Sequence, residues 1–112
     1  MLTFHALRIA NLLRLPQFKN AKGEYTNHGD WKLSAWSNAA LGELGEAANI
    51  IKKIERGDFS LEEARENLGK ELADVVTYVD LLADKAGIDL GLAVKNKFNE
   101  VSDRVGCDIK ID

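Results

Sequence analysis

The residues of this chain best suited to chemistry are four carboxylates, Glu43 and Glu46 followed by Glu71 and Asp74. Within each pair the acids are three residues apart, which puts them on one side of a helix. Steps of three and four from Glu43 reach Trp36, Ala39, Ala40, Ala47, Ile50 and Ile54. The same steps from Glu71 reach Ala64, Leu68, Val75, Tyr78 and Leu82. Glu43 and Glu71 therefore stand inside apolar stripes, with Glu46 and Asp74 at the edges. A single helical Glu is ordinarily solvated; two pairs centred on apolar faces break that pattern. Four anions gathered in a partly buried site repel one another and lose hydration at a cost of several kcal/mol each. A divalent cation resolves that conflict. Neither Glu43 nor Glu71 has a His three residues on, as carboxylate-bridged iron bundles do, and the only histidines are His5 and His28. Oxygen-only ligation favours Mg²⁺, with Mn²⁺ second, over Zn²⁺. Mg²⁺ usually keeps several waters and bridges to phosphate, so the donor set points to a phosphorylated substrate.

Other residues can be weighed against that site. Lys97 falls on the stripe of a later helix with Leu90, Val94 and Val101, and Arg104 lies on the same side two turns on. Either Lys97 reaches a phosphate at the bundle edge or its stem simply covers core. Asn49 and Lys53 follow Glu46 along its flank, where ligand contact and an ordinary surface pattern are both open. Trp31, Trp36 and Tyr78 offer aromatic faces on which a nucleobase can stack; Trp36 and Tyr78 equally suit a core. His28 sits in a long loop that could line a base pocket.

Helices must position these groups. Leu2, Ala6, Ile9, Leu12 and Leu13 recur at helical spacing over about residues 2–15, and Pro16 marks the stop. Residues 18–30 read as a loop, long enough to suggest a functional role. Asp30 is expected to cap a second helix ending at Arg56, with Gly57 as its stop. Ser60 and Glu63 form a capping box for a third helix running to about Ala86, in which Gly69 marks a bend or a close contact. Asp89 caps a fourth, Leu90 to Arg104, and an extended tail follows Gly106. The expected class is all-α, a helical bundle whose two long central helices are antiparallel because the turn between them is short.

With 112 residues, the chain fits one domain spanning 1–112. So short a helical chain often completes its core across subunits, so a homo-oligomer is expected. A net charge of −3 gives no basic stripe for nucleic acid. Cys107, the only cysteine, has no intrachain partner. Arg8 and Arg14 interrupt the N-terminal apolar positions, so neither a signal peptide nor a membrane span is expected, and a cytoplasmic setting fits.

The segment Leu41-Gly42-Glu43-Leu44-Gly45-Glu46-Ala47, followed by Lys70-Glu71-Leu72-Ala73-Asp74-Val75-Val76-Thr77-Tyr78, resembles the MazG-type all-α nucleotide pyrophosphohydrolases. That superfamily includes dimeric dUTPases, dCTP pyrophosphatases and phosphoribosyl-ATP pyrophosphatase. Its signature is ExxE, a variable gap, then ExxD. The likeness continues through Asp89-Leu90 and Ala93-Val94 to Lys97 and Arg104. The resemblance implies Mg²⁺-dependent hydrolysis of a nucleoside triphosphate between its α- and β-phosphates, with Glu43, Glu46, Glu71 and Asp74 as metal ligands and catalytic acids. It implies phosphate contacts at Lys97 and Arg104, and a homo-oligomer, tetramer favoured over dimer. Many relatives carry Asn four residues after the Lys, where this chain has Val101. Asn99 could substitute only through a different geometry or across a subunit interface. Two other readings stand beside this one: a relative specific for dUTP, dCTP or phosphoribosyl-ATP, and a nucleotide-binding regulatory module without turnover.

Overall fold

The computed structural model describes residues 1–112 and contains four α-helices and no named strand. Helix α1 spans Phe4–Arg14, α2 Leu33–Arg56, α3 Leu61–Lys85 and α4 Leu90–Arg104. Local chemistry sets most of these limits. The Thr3 hydroxyl accepts from Ala6 N at the start of α1, and Pro16 enters a short 3₁₀ turn at Leu15–Gln17. Gly57 ends α2 in the left-handed region at φ 89°, where a side chain would be strained. The Ser60–Glu63 capping box is formed in both directions. Asp89 accepts from Leu92 N and opens α4.

Two expectations are corrected. Asp30 does not cap α2, since it closes a 3₁₀ turn at His28–Asp30 and accepts from Asn27 Nδ2 at 2.7 Å. The N-cap of α2 is Lys32, which supplies no side-chain bond. Gly69 makes no close contact, because nothing lies within 4 Å of where its Cβ would stand, and α3 runs through it unbroken.

The dominant packing is α2 against α3, antiparallel across the Gly57–Ser60 turn. Trp36, Ala40 and Ala47 of α2 and Ala64, Leu81 and Ala83 of α3 are the buried apolar residues. Helix α1 lies on α3 and is tied to it by a buried polar group. Asp80, 1% exposed, accepts from Arg8 Nε at 3.1 Å and from Asn11 Nδ2 at 3.0 Å. Arg8 also donates to Ile88 O, at the turn between α3 and α4. Helix α4 touches α1 and α3, and Gly91 lies so close to Phe4 that a Cβ there would stand 3.2 Å from the Phe4 side chain.

The molecule is elongated. Its radius of gyration is 17.1 Å, against about 13 Å for a compact domain of this length. Only 9 of 112 residues are buried, so the chain leaves unusually large apolar surface uncovered. Leu41, Leu44 and Ile51 form an exposed stripe on α2, separate from the one facing α3. Leu72 and Val76 are exposed on α3, and Leu92, Val94 and Phe98 on α4. No helix is long and apolar enough to cross a membrane.

Candidate metal centre and adjoining aromatic pocket

The hairpin of α2 and α3 brings the acids together by symmetry of spacing. Glu46 lies 11 residues before Gly57, and Glu71 lies 11 after Ser60. Glu43 and Asp74 are each 14 residues from the same turn residues. In an antiparallel pair this arithmetic sets Glu46 level with Glu71, and Glu43 level with Asp74.

The side chains follow that register. One carboxylate oxygen from each of Glu43, Glu46 and Glu71 lies within 4.8 Å of the other two. Glu43 and Glu71 are half-buried and Glu46 is exposed. Asp74 is exposed one turn beyond Glu71 and stands outside this triad; it shares a cavity wall with Glu43 instead. The crowding shows in the acidities. Glu71 is raised above its ordinary 4.5, first by the Glu43 carboxyl beside it, then by burial and by the charges of Glu43 and Asp74. Glu46 is raised first by the Glu71 carboxyl beside it and by that neighbour's charge. Both shifts describe carboxyl groups that hold a proton more tightly because other anions stand beside them.

The residues fit a hard divalent cation. Glu71 Oε2 is buried with no hydrogen-bond partner, an arrangement that costs stability unless something fills the gap. At Mg²⁺–oxygen distances of about 2.1 Å, donors on opposite sides of the ion are about 4.2 Å apart. The three oxygens all lie within 4.8 Å of one another, and all donors are oxygen.

Beside the acids lies a cavity of about 250 Å³. Glu43, Asp74 and Thr77 line one part of it, and Phe18, His28, Trp36 and Tyr78 give it aromatic walls. Arg14 and Leu15 from the end of α1, with Leu81, complete the lining. Trp31 packs behind, its ring 4.6 Å from that of Trp36 and 4.8 Å from that of His28. Burial raises the Tyr78 hydroxyl above its ordinary 10.0, and the charges of Glu43 and Asp74 add to it while Arg14 opposes them. Arg14 also stacks over the Phe18 ring at 5.4 Å and enters no ion pair.

Residues on α4 are placed differently. Lys97 is 63% exposed and pairs with Glu100 at 3.3 Å, so it does not lie on a buried stripe in this chain. Arg104 is exposed at the last turn of α4. The Asn99 amide is engaged at both ends by the tail, donating to Ile111 O at 2.8 Å and accepting from Ile111 N at 2.7 Å. None of these three lines the cavity beside the acids, nor do Asn49 and Lys53. Arg14 and Phe18 were not among the sequence candidates. Phe18 belongs to no periodic stripe and Arg14 reads as a routine basic residue at a helix end, so only the packing of α1 reveals them.

Comparison with known proteins agrees with this geometry. The profile of the MazG nucleotide pyrophosphohydrolase domain matches residues 33–105, which include both acid pairs. The chain belongs to that family. It is 35% identical over 74 residues to Gene 37 protein of Mycobacterium phage L5, an alignment covering 64% of this chain and 65% of that protein. The chain thus spans a little under two thirds of that relative's length. No solved structure matches the chain. The family-matched region contains the acids, Trp36 and Tyr78, whereas Arg14, Phe18 and His28 lie before it. The three clustered acids therefore lie within the shared domain.

Proposed function

We propose that the chain is a Mg²⁺-dependent nucleoside triphosphate pyrophosphohydrolase, consuming one water to give a nucleoside monophosphate and pyrophosphate. The observation that carries this reading is the convergence of Glu43, Glu46 and Glu71, with Glu71 Oε2 buried and partnerless, in a chain of the MazG family. These three acids would hold the metal, with Asp74 joining from one turn along α3. Mn²⁺ would suit the same oxygen donors. When bound, the ion supplies charge neutralisation at the phosphates and lowers the pKa of a coordinated water.

The protein's own groups do the rest. Glu43 and Asp74 border both the metal site and the cavity, so a triphosphate held at the acids places its nucleoside among Phe18, His28, Trp36 and Tyr78. Aromatic faces accept any base by stacking. Arg14, unpaired at the same cavity, is positioned to offset phosphate charge.

Lys97 and Arg104 remain proposed phosphate contacts, delivered by a second copy of the chain. Asn99 would have to release Ile111 to join them. The exposed stripes on α2, α3 and α4 support a homo-oligomer, for which we favour a tetramer, working in the cytoplasm on free nucleotides rather than on nucleic acid or at a membrane. Sedimentation equilibrium at micromolar concentration should give a mass near four times 12.4 kDa; a dimer mass would revise the stoichiometry, and a monomer would overturn the assembly.

The reaction is tested with a panel of dNTPs and NTPs by pyrophosphate release in Mg²⁺ and in EDTA. Metal-dependent release of pyrophosphate is expected, with none in EDTA. Binding without release would instead identify a nucleotide-sensing module, and release of single phosphates would place the cleavage elsewhere.

A further inference from the structure

Trp36 is 0% exposed, and its indole Nε1–H is buried without a hydrogen-bond partner, although the residue lines the cavity beside the acids. Buried indoles usually find an acceptor. Leaving one unmet costs more than such a hydrogen bond ordinarily contributes. The flanking rings are tilted against the indole: Trp31 at 4.6 Å, His28 at 6.1 Å and Tyr78 at 6.5 Å between ring centroids.

A second polar group on the same wall is already oriented. Thr26 Oγ1 donates its single proton to Phe18 O at 3.2 Å and lies 2.9 Å from His28 Nδ1. His28 Nδ1 thus has a hydroxyl partner, and Nε2 is the ring's second polar atom. Trp36, with its unmet donor, and the His28 imidazole thus line one aromatic cavity.

We propose that Trp36 reads the substrate's base, its Nε1–H donating to a ring nitrogen or carbonyl oxygen of the base. This deepens the pyrophosphohydrolase reading and rests on its placement of the nucleotide. Stacking alone would accept any planar group. An in-plane donor instead requires a base that turns an acceptor inward, and it separates nucleotides from polyphosphates or abasic sugar phosphates. It also makes Trp36 a specificity residue within a position that periodicity assigns to the core.

The direct test leaves the protein unmutated at this position. In a ¹H–¹⁵N spectrum of the full chain without metal, the Trp36 indole resonance should move downfield on titration with nucleoside monophosphates. It should stay in place with ribose 5-phosphate. Trp31→Phe assigns the signal by leaving one indole. The same titration reports on the pocket even if no triphosphate is hydrolysed, so failure of the catalytic reading is distinguishable. In turnover, Trp36→Phe should raise KM about five- to tenfold with kcat within about twofold, since the lost bond is to the base and not to the reacting atoms. An indole signal that ignores every nucleotide, or that responds equally to ribose 5-phosphate, overturns the proposal.

Discussion

Glu71→Gln should lower pyrophosphohydrolase turnover by about 10²- to 10³-fold while leaving the fold intact. The size follows from losing one anionic ligand to a metal whose stabilisation of the transition state amounts to several kcal/mol, at about 1.4 kcal/mol per tenfold in rate. Gln keeps the shape of the side chain, and its amide can donate to the Glu43 or Glu46 carboxylate. Stability should move in the opposite direction. The folded-state pKa of Glu71 is raised above 4.5, so the fold prefers its protonated form. Its contribution is therefore fully present below the ordinary carboxylate value and is lost as pH rises through the raised one. The Glu46 shift has the same sign. In EDTA the wild type should lose stability as pH climbs from about 4.5 toward neutrality, and Glu71→Gln should lose less. Thermal melts across that range, with and without Mg²⁺, check both halves, since Mg²⁺ should raise the wild-type melting temperature at pH 7 more than that of the variant. Wild-type turnover by Glu71→Gln would remove the metal assignment. A wild-type melting temperature indifferent to both pH and Mg²⁺ would do the same.

That stability cost explains why the acids could be found from spacing. A charge on an apolar stripe conflicts with packing, so Glu43 and Glu71 stand out against Ala47, Ile50, Val75 and Leu82, and the structure shows both half-buried. The capping signals at Ser60 and Asp89 were equally legible, because a cap is decided within four residues. Asp30 misled because its carboxylate had a competing local partner, Asn27, and that contact draws the residue into a turn before the helix begins. Lys97 stayed open between two readings for a different reason. Periodicity identifies a face of α4 but not whether anything covers it, and within one chain Lys97 is 63% exposed. The pocket wall was hardest to see. Arg14, Phe18 and His28 reach Trp36 and Tyr78 only because α1 and the following loop fold back onto α3, and no periodicity encodes that return. Its sequence trace is the polar set Arg8, Asn11 and Asp80, which lies far apart in the chain and reads as ordinary helix surface.

Asp80→Ala should destabilise the protein by about 3 kcal/mol, a substantial part of the 5–15 kcal/mol typical of a whole domain. Asp80 is buried between two donors, and removing it strands both. Asn11, 3% exposed, keeps only a 3.3 Å contact with Thr77 O, and the Arg8 guanidinium falls back on Asp84 and Ile88 O. Arg8 retains some solvent contact, which holds the cost near the lower end of the range for breaking a buried pair. Asn11→Ala removes only one donor and should cost roughly 1–2 kcal/mol. Because the affected contacts tie α1 to α3, the loss should reach the site through Arg14, Leu15 and Phe18 rather than through the acids. Asp80→Ala should therefore raise KM while Mg²⁺ affinity, carried by α2 and α3, stays near wild type. Urea unfolding at fixed protomer concentration measures the first effect, and Mg²⁺ titration of the folded variant measures the second. An unfolding midpoint unchanged by Asp80→Ala would mean that α1 is held to α3 by its apolar contacts alone. Parallel losses of nucleotide and metal binding would instead mean that the hairpin of α2 and α3 depends on α1 to hold its three carboxylates in register.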